Sequence, residues 1–160
     1  MGSVQQTKQA VSGKKRPAAR RTRPLTKTER ITKYNRIYLK YCNEMWIHCG
    51  DCGKDRRAYS YVSLREIVVP MGVFSDPSEW DLIVLLHEIG HIKTNKESMK
   101  MVVKEYLATQ WMADESKKWE IPVKKLYADA FQKYIWEKRK LSIARGGKNV
   151  PSEEELAIRW

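Results

Sequence analysis

The stretch that most constrains this chain is Trp80-Asp81-Leu82-Ile83-Val84-Leu85-Leu86, which runs directly into His87-Glu88-Ile89-Gly90-His91. On a helix, residues four apart share one face, so His87 and His91 can present imidazole nitrogens to one metal ion. Glu88 lies a step round the helix and can reach a water at that ion, as a general base would. A helix start stands just upstream, in Ser75-Asp76-Pro77-Ser78-Glu79. Asp76 can cap, Pro77 suits the first helical position and Glu79 follows three after the cap. The helix is predicted to run to about Lys93. The rest of the chain is then scaffold, third ligand, substrate wall or tether for it.

A catalytic zinc takes three protein ligands and leaves one position open. Thr94-Asn95-Lys96-Glu97 reads as a capping box opening a second helix, from Glu97 to about Trp119. Two glutamates compete for the third ligand. Glu97 stands where H-E-x-x-H-x-x-G-x-x-H sequences place theirs, but Thr94 replaces the glycine of that pattern, and Glu97 already serves as the capping acid. Glu105 is the stronger candidate. It shares a helix face with Ala108 and Met112, where a carboxylate is costly unless paired or metal-bound. Small Ala108 would let the two helices approach, and Gly90 leaves room beside the site at a cost of about 1 kcal/mol relative to alanine. Asp114 and Glu115, a turn or more further on, are expected to be solvated.

Upstream, Thr26-Lys27-Thr28-Glu29 is a capping box. Ile31, Tyr34, Ile37, Tyr38 and Tyr41 follow at helical spacing, predicting a helix to about Asn43 with an aromatic core stripe. Cys49-x-x-Cys52 has the spacing of half a structural zinc site, which Cys42 and His48 could complete. Neighbouring His48 and Cys49 would point apart on a strand, and Gly50-Asp51-Cys52-Gly53 is turn chemistry, so a hairpin turn with reduced thiols is the simpler reading. Three cysteines, an odd number, argue against a disulfide framework. Arg57 to Ser63 alternates like a strand, and Arg65 to Pro70 is a second run closed by proline, as at a strand end or sheet edge. Ile67-Val68-Val69 is then a candidate edge strand for holding a substrate backbone. Tyr59, Tyr61 and His48 are candidates to assist at a developing oxyanion.

A third helix is predicted from Pro122 to near Arg145, with Val123, Tyr127, Ala130, Phe131, Tyr134 and Leu141 at helical spacing. Gly146-Gly147 stops it, and Pro151 to Leu156 reads as a short terminal helix.

Charge separates the N-terminal stretch from the rest. Residues 1–28 hold eight of the 31 Lys and Arg and none of the 19 Asp and Glu. Residues 1–25 are polar and punctuated by proline, too poor in apolar surface to offset the entropy of ordering. They are expected to form a disordered basic tail before one domain at 26–160. Lys14, Lys15, Arg16, Arg20, Arg21 and Arg23 could hold nucleic acid through its phosphates, without sequence preference. No apolar run approaches the roughly 20 residues that span a bilayer, and no apolar secretory leader is seen. A cytoplasmic protein without membrane attachment is expected.

Three segments together resemble a known group: Ala58-Tyr59-Ser60 through Ile67-Val68-Val69-Pro70, Leu85-Leu86-His87-Glu88-Ile89-Gly90-His91, and Glu105-Tyr106-Leu107-Ala108-Thr109-Gln110-Trp111. They are similar to the small gluzincin-type metallopeptidases of bacteria and phages, of which the ImmA/IrrE-type enzymes, cleaving DNA-bound repressors, are the best known. The resemblance implies an α+β fold, a mainly helical minimal zincin with a small antiparallel or mixed β-sheet and a metal-binding helix. It implies one Zn2+ per chain on His87, His91 and Glu105, Glu88 as general base, and hydrolysis of a polypeptide, with a nucleic-acid-associated regulatory protein as the expected kind of substrate. The alternative is a nucleic-acid-binding accessory protein whose metal site is structural or inactive.

Overall fold

In the computed structural model, which describes residues 23–52, 57–96 and 98–160, the first helix begins where its cap requires. The Thr26 hydroxyl accepts from the Glu29 N–H at 3.3 Å, and the Glu29 carboxylate accepts from the Thr26 N–H at 2.8 Å. Helix α1 spans Lys27–Tyr41 and buries Tyr34, Ile37 and Tyr41. Strand β1 (Trp46–Gly50) follows, then β2 (Tyr59–Tyr61), a 3-10 turn at Val62–Leu64, and β3 (Glu66–Pro70). Helices α2 (Glu79–Thr94), α3 (Met101–Lys118) and α4 (Lys125–Ala144) complete the order. The fold is α+β. No helix among the described residues is long and apolar enough to cross a membrane.

The three strands form a mixed sheet in the order β1-β3-β2. β1 pairs parallel with β3, Trp46 opposite Glu66 and Gly50 opposite Pro70. β2 pairs antiparallel with β3, Tyr59 opposite Val68 and Tyr61 opposite Glu66. Two expectations are corrected here. β1 and β2 do not form a hairpin, because β3 lies between them in the sheet. Ile67-Val68-Val69 is not an edge, because both sides of β3 are paired. All three of these residues are buried, and a strand buried on both faces reads as a continuous apolar run rather than an alternating one. Pro70 stands at the strand end.

α2 is the axis of the core. Leu82, Ile83, Leu85, Leu86 and Ile89 are fully buried on one side of the helix, and buried Val84 and Ile92 extend the covered surface round most of it. α1, the sheet and α3 supply the surroundings, with Tyr34, Ile37, Ile67, Val69 and Met112 in the same cluster. Its N-cap is Ser78, not Asp76: Ser78 and Asp81 exchange backbone and side-chain bonds in a full capping box. Pro77 therefore precedes the helix. Asp76 instead lies near Lys27 and Arg30, at 3.4 and 3.7 Å.

Thr94 ends α2 rather than opening α3. Its hydroxyl donates back to the Gly90 carbonyl at 2.8 Å, and α3 starts from Lys100 without a side-chain cap. Glu97 lies outside the described residues. The buried polar ends are tied by specific pairs. Glu79 accepts from the Leu25 N–H at 2.8 Å and meets Lys124 at 2.6 Å, joining the N-terminal segment and the start of α4 to α2. Leu25, assigned by the sequence to the tail, thus packs on the core.

α4 buries Phe131 and Ile135, while Tyr134 and Leu141, part of the same helically spaced set, are 39% and 49% exposed. Gly146 ends its run at a φ of +74°, where an L side chain is strained. The C-terminal segment is not a helix. Ser152 and Glu155 cap one turn, and Leu156 and Ile158 then both enter a second cluster with Val102, Ala113 and Ile135. Two buried residues two apart suit extended chain, since a helix would turn them to opposite sides.

Candidate metal centre

His87 and His91 stand one turn apart on α2, and Glu105 reaches them from α3. The His87 and His91 Nε2 atoms are 3.1 Å apart, and Glu105 Oε2 lies 3.5 and 3.4 Å from them. Among the described residues this is the group of His, Cys, Asp and Glu whose donor atoms converge closely enough for one ion. The three distances form a near-equilateral triangle. Tetrahedral bonds of about 2.0–2.1 Å from zinc set donor separations of about 3.4 Å, so the donor set fits the ion in type and in size.

The close approach of the helices makes this triangle. A Cβ on Gly90 would lie 2.7 Å from the Ala108 carbonyl oxygen and 3.1 Å from its Cα. Only glycine lets α3 lie this near α2 at that point, and the fully buried Ala108 adds little bulk from the other side. Glu105 sits one turn before Ala108 and so faces the two histidines.

The carboxylate is held ready. Burial opposes its ionisation, but the hydrogen bonds from His87 and His91 outweigh that and hold its pKa at about 2. Burial likewise lowers the pKa of His91, yet its bond and charge interaction with Glu105 turn the net direction upward. Thr109, one turn after Glu105 and fully buried, adds an orienting contact. Its hydroxyl donates to the Glu105 carbonyl at 2.8 Å and lies 3.3 Å from His87 Nδ1. With its proton so committed, the hydroxyl can accept from Nδ1–H, and Nε2 is the nitrogen turned to Glu105 and His91, free to bind an ion once its own proton is lost.

Glu88 is half-buried beside the triangle. Its Oε2 accepts from the Ser60 hydroxyl at 2.7 Å, across from β2. A cleft of about 710 Å³ opens over these residues. β2 and its approach, with Ala58, Tyr59 and Ser60, form one wall; Ala130, Phe131 and Tyr134 of α4 form another. Phe131 packs at 5.3 Å from Trp80 and 5.0 Å from the His87 ring.

The remaining sequence candidates separate. Tyr59 lines the cleft; Tyr61 does not and is 49% exposed. His48 lies on β1, stacked on Trp46 and 3.4 Å from Glu66, away from the cleft. The three cysteines are free, and Cys49 and Cys52 direct their sulfurs at the Pro70 and Val68 carbonyls rather than toward a shared ion. Arg23 forms a two-pronged pair with Glu29 at 2.6 and 2.9 Å, so this member of the basic stretch is engaged within the fold. Lys14, Lys15, Arg16, Arg20 and Arg21 lie outside the described residues. Glu115, expected in solvent, is buried against Lys118, Lys40 and Tyr41. Ser60 and Thr109 were not singled out from the sequence. Thr109 had a signal, being four residues from Glu105 on one helix face. Ser60 had only the strand alternation that puts it opposite Tyr59 and Tyr61.

A comparison with protein-family models, curated proteins and solved structures finds no match to this chain.

Proposed function

We propose that this chain is a zinc-dependent peptidase of small gluzincin type, with His87, His91 and Glu105 as ligands and Glu88 as general base. The observation that carries the reading is the donor triangle beneath an open cleft, with a carboxylate one residue from a ligand. Structural zinc sites are closed by a fourth protein ligand, whereas three donors facing a cleft suit catalysis. Zinc, where bound, supplies Lewis acidity that acidifies water and polarises a carbonyl.

The chain's own groups supply the rest. Glu88 takes the proton of the attacking water and returns it to the nitrogen of the leaving amine. Ser60 holds one carboxylate oxygen, which leaves the other for that transfer. Thr109 fixes the His87 ring. β2 pairs with β3 on one side only, so its other edge can bind an extended polypeptide backbone beside Glu88. Tyr59 of β2 and Tyr134 of α4 line the cleft from opposite walls and are the tyrosines placed to assist at a carbonyl there.

The test is metal content and hydrolysis together. Wild-type protein should hold one zinc per chain and cleave an unstructured polypeptide. His87→Ala should lose the zinc. Glu88→Gln should keep it and lose about 10²–10⁴-fold in rate. Wild-type protein that binds no zinc would sink the reading.

The basic stretch adds attachment to nucleic acid, through Lys14, Lys15, Arg16, Arg20 and Arg21. It is supported by the absence of any acidic residue among residues 1–28. Deleting residues 1–22 should weaken salt-sensitive binding to DNA of any sequence and leave cleavage of a short peptide unchanged. Loss of short-peptide cleavage on that deletion would remove the attachment role.

A further inference from the structure

The cleft carries a charge pattern that the metal chemistry does not use. Beyond His87, Glu88, His91 and Glu105, its charged lining residues are Arg57, Lys104, Lys133 and Glu137, three cations against one anion. None of the three cations forms an ion pair or hydrogen bond with another described residue. Several surface cations outside the cleft do pair with carboxylates: Lys118 and Lys40 with Glu115, Lys124 with Glu79, Arg139 near Glu153.

The cations are also spread along the cleft. α2 runs beneath it, and Trp80 in its first turn and Asn95 at its C-cap both line it. Arg57 adjoins the Trp80 and Val84 end, where these residues share a second small cavity. Lys104 is on α3 next to Glu105 and one turn after Met101, which also lines the cleft, at the end where α2 gives way to α3. Lys133 is exposed on the α4 wall. His87 and Glu88 lie between. A bound zinc adds two positive charges at the centre, which the Glu105 and Glu88 carboxylates offset, so the flanking cations set the sign of the field along the cleft. A polypeptide lying along β2 would pass these cations on both sides of the metal centre.

We infer that this cleft selects polypeptides bearing acidic side chains on either side of the bond at the metal centre, an inference that rests on the peptidase reading of the same site. Arg57, Lys104 and Lys133 are its specificity-determining residues. They attract Asp and Glu side chains and repel Lys and Arg, in a partly desolvated groove where field lines concentrate. Glu137, one turn after Lys133, tempers the field on the α4 wall without reversing it.

The experiment compares fluorescent peptides with the same apolar centre flanked by Asp, by Ser or by Lys. Binding is read by anisotropy on zinc-loaded Glu88→Gln protein, which separates recognition from cleavage. The Asp peptide should bind about tenfold more tightly than the Lys peptide at low salt, and the gap should close as salt rises. Arg57→Glu with Lys133→Glu, both at exposed positions, should abolish or invert the preference; Lys133→Glu alone should reduce it. Equal binding of Asp and Lys peptides, or a preference that survives charge reversal, overturns the inference. A second arm measures kcat/KM of the wild-type protein on the same peptides. Cleavage without charge preference removes this inference and leaves the peptidase reading standing. Preference in binding with no cleavage of any peptide removes the peptidase reading and leaves the charge selection standing.

Discussion

Two glutamates on α3 are alike in almost every respect but their company. Glu105 and Glu115 are 7% and 5% exposed, both are ionised against the pull of burial, and both contact the element packed beside their helix. Glu105 faces two histidine nitrogens that can lose their protons and bind metal. Glu115 faces Lys118 at 2.6 Å, Lys40 at 3.5 Å and the Tyr41 hydroxyl at 3.2 Å. Lysine nitrogens are protonated at neutral pH and have no lone pair to offer an ion. Burial of a carboxylate therefore does not by itself mark a site. The chemistry of its partners decides between a metal centre and a tie that holds α1 to α3.

Exchanging the roles of these residues breaks the comparison if it is wrong. The largest effect is expected for Glu105→Ala. Loss of an orienting partner costs about 10–100-fold in metal affinity, and loss of a ligand should exceed that, leaving no stoichiometric zinc in a competition titration. Glu115→Ala should leave the zinc in place. If both variants bind zinc equally well, Glu105 is as structural as Glu115.

Next in size is Gly90→Ala. Alanine favours the helix by about 1 kcal/mol, but the added Cβ would sit 2.7 Å from backbone that cannot swing aside. Overpacking of this kind costs about 1–3 kcal/mol and should dominate. Denaturant unfolding should show lower stability, and zinc affinity should fall as α3 carries Glu105 away. A more stable variant with unchanged affinity would show that the close approach does not make the site.

The smallest effect is expected for Glu115→Gln, about 1–2 kcal/mol at neutral pH, because Lys40 and Lys118 are half-exposed or more and are screened. Its sign with pH is fixed. Burial works to raise the Glu115 pKa, but the Lys118 bond, the Lys40 charge and Tyr41 lower it overall. A folded pKa below the unfolded value of about 4.3 adds stability above that pH and loses it as pH falls toward the folded value. The stability gap between wild type and Glu115→Gln should thus be full at neutral pH and shrink below about pH 4. A gap independent of pH would show that Glu115 acts through packing alone.

Much of the site was legible beforehand for local reasons. Four-residue spacing on one helix is a property of the helix, so His87 and His91 could be paired from their positions. Glu105 stood out because a carboxylate shared a face with Ala108 and Met112. The reading failed for Glu115, whose neighbours Lys40 and Tyr41 come from α1, far away in sequence. It failed at the cap of α2 because Asp76-Pro77 and Ser78 each offer a sound start, and Asp81 settles the choice by closing the box with Ser78.

The sequence alone determined the elements whose bonds are local: the Thr26 capping box, the helical run through His91, the Gly146 stop, and the two histidines on one face. Tertiary structure decided what depends on contacts between distant segments. β3 took the middle of the sheet because β1 pairs parallel on one side of it and β2 antiparallel on the other, which left β2 as the edge beside the cleft. Ser60 thereby reached Glu88, and the missing side chain at Gly90 let α3 bring Glu105 within 3.5 Å of both histidines. Spacing along a helix fixes which residues share a face. Which residues meet across two helices depends on how near the backbones come, and here the space left at Gly90 sets that distance.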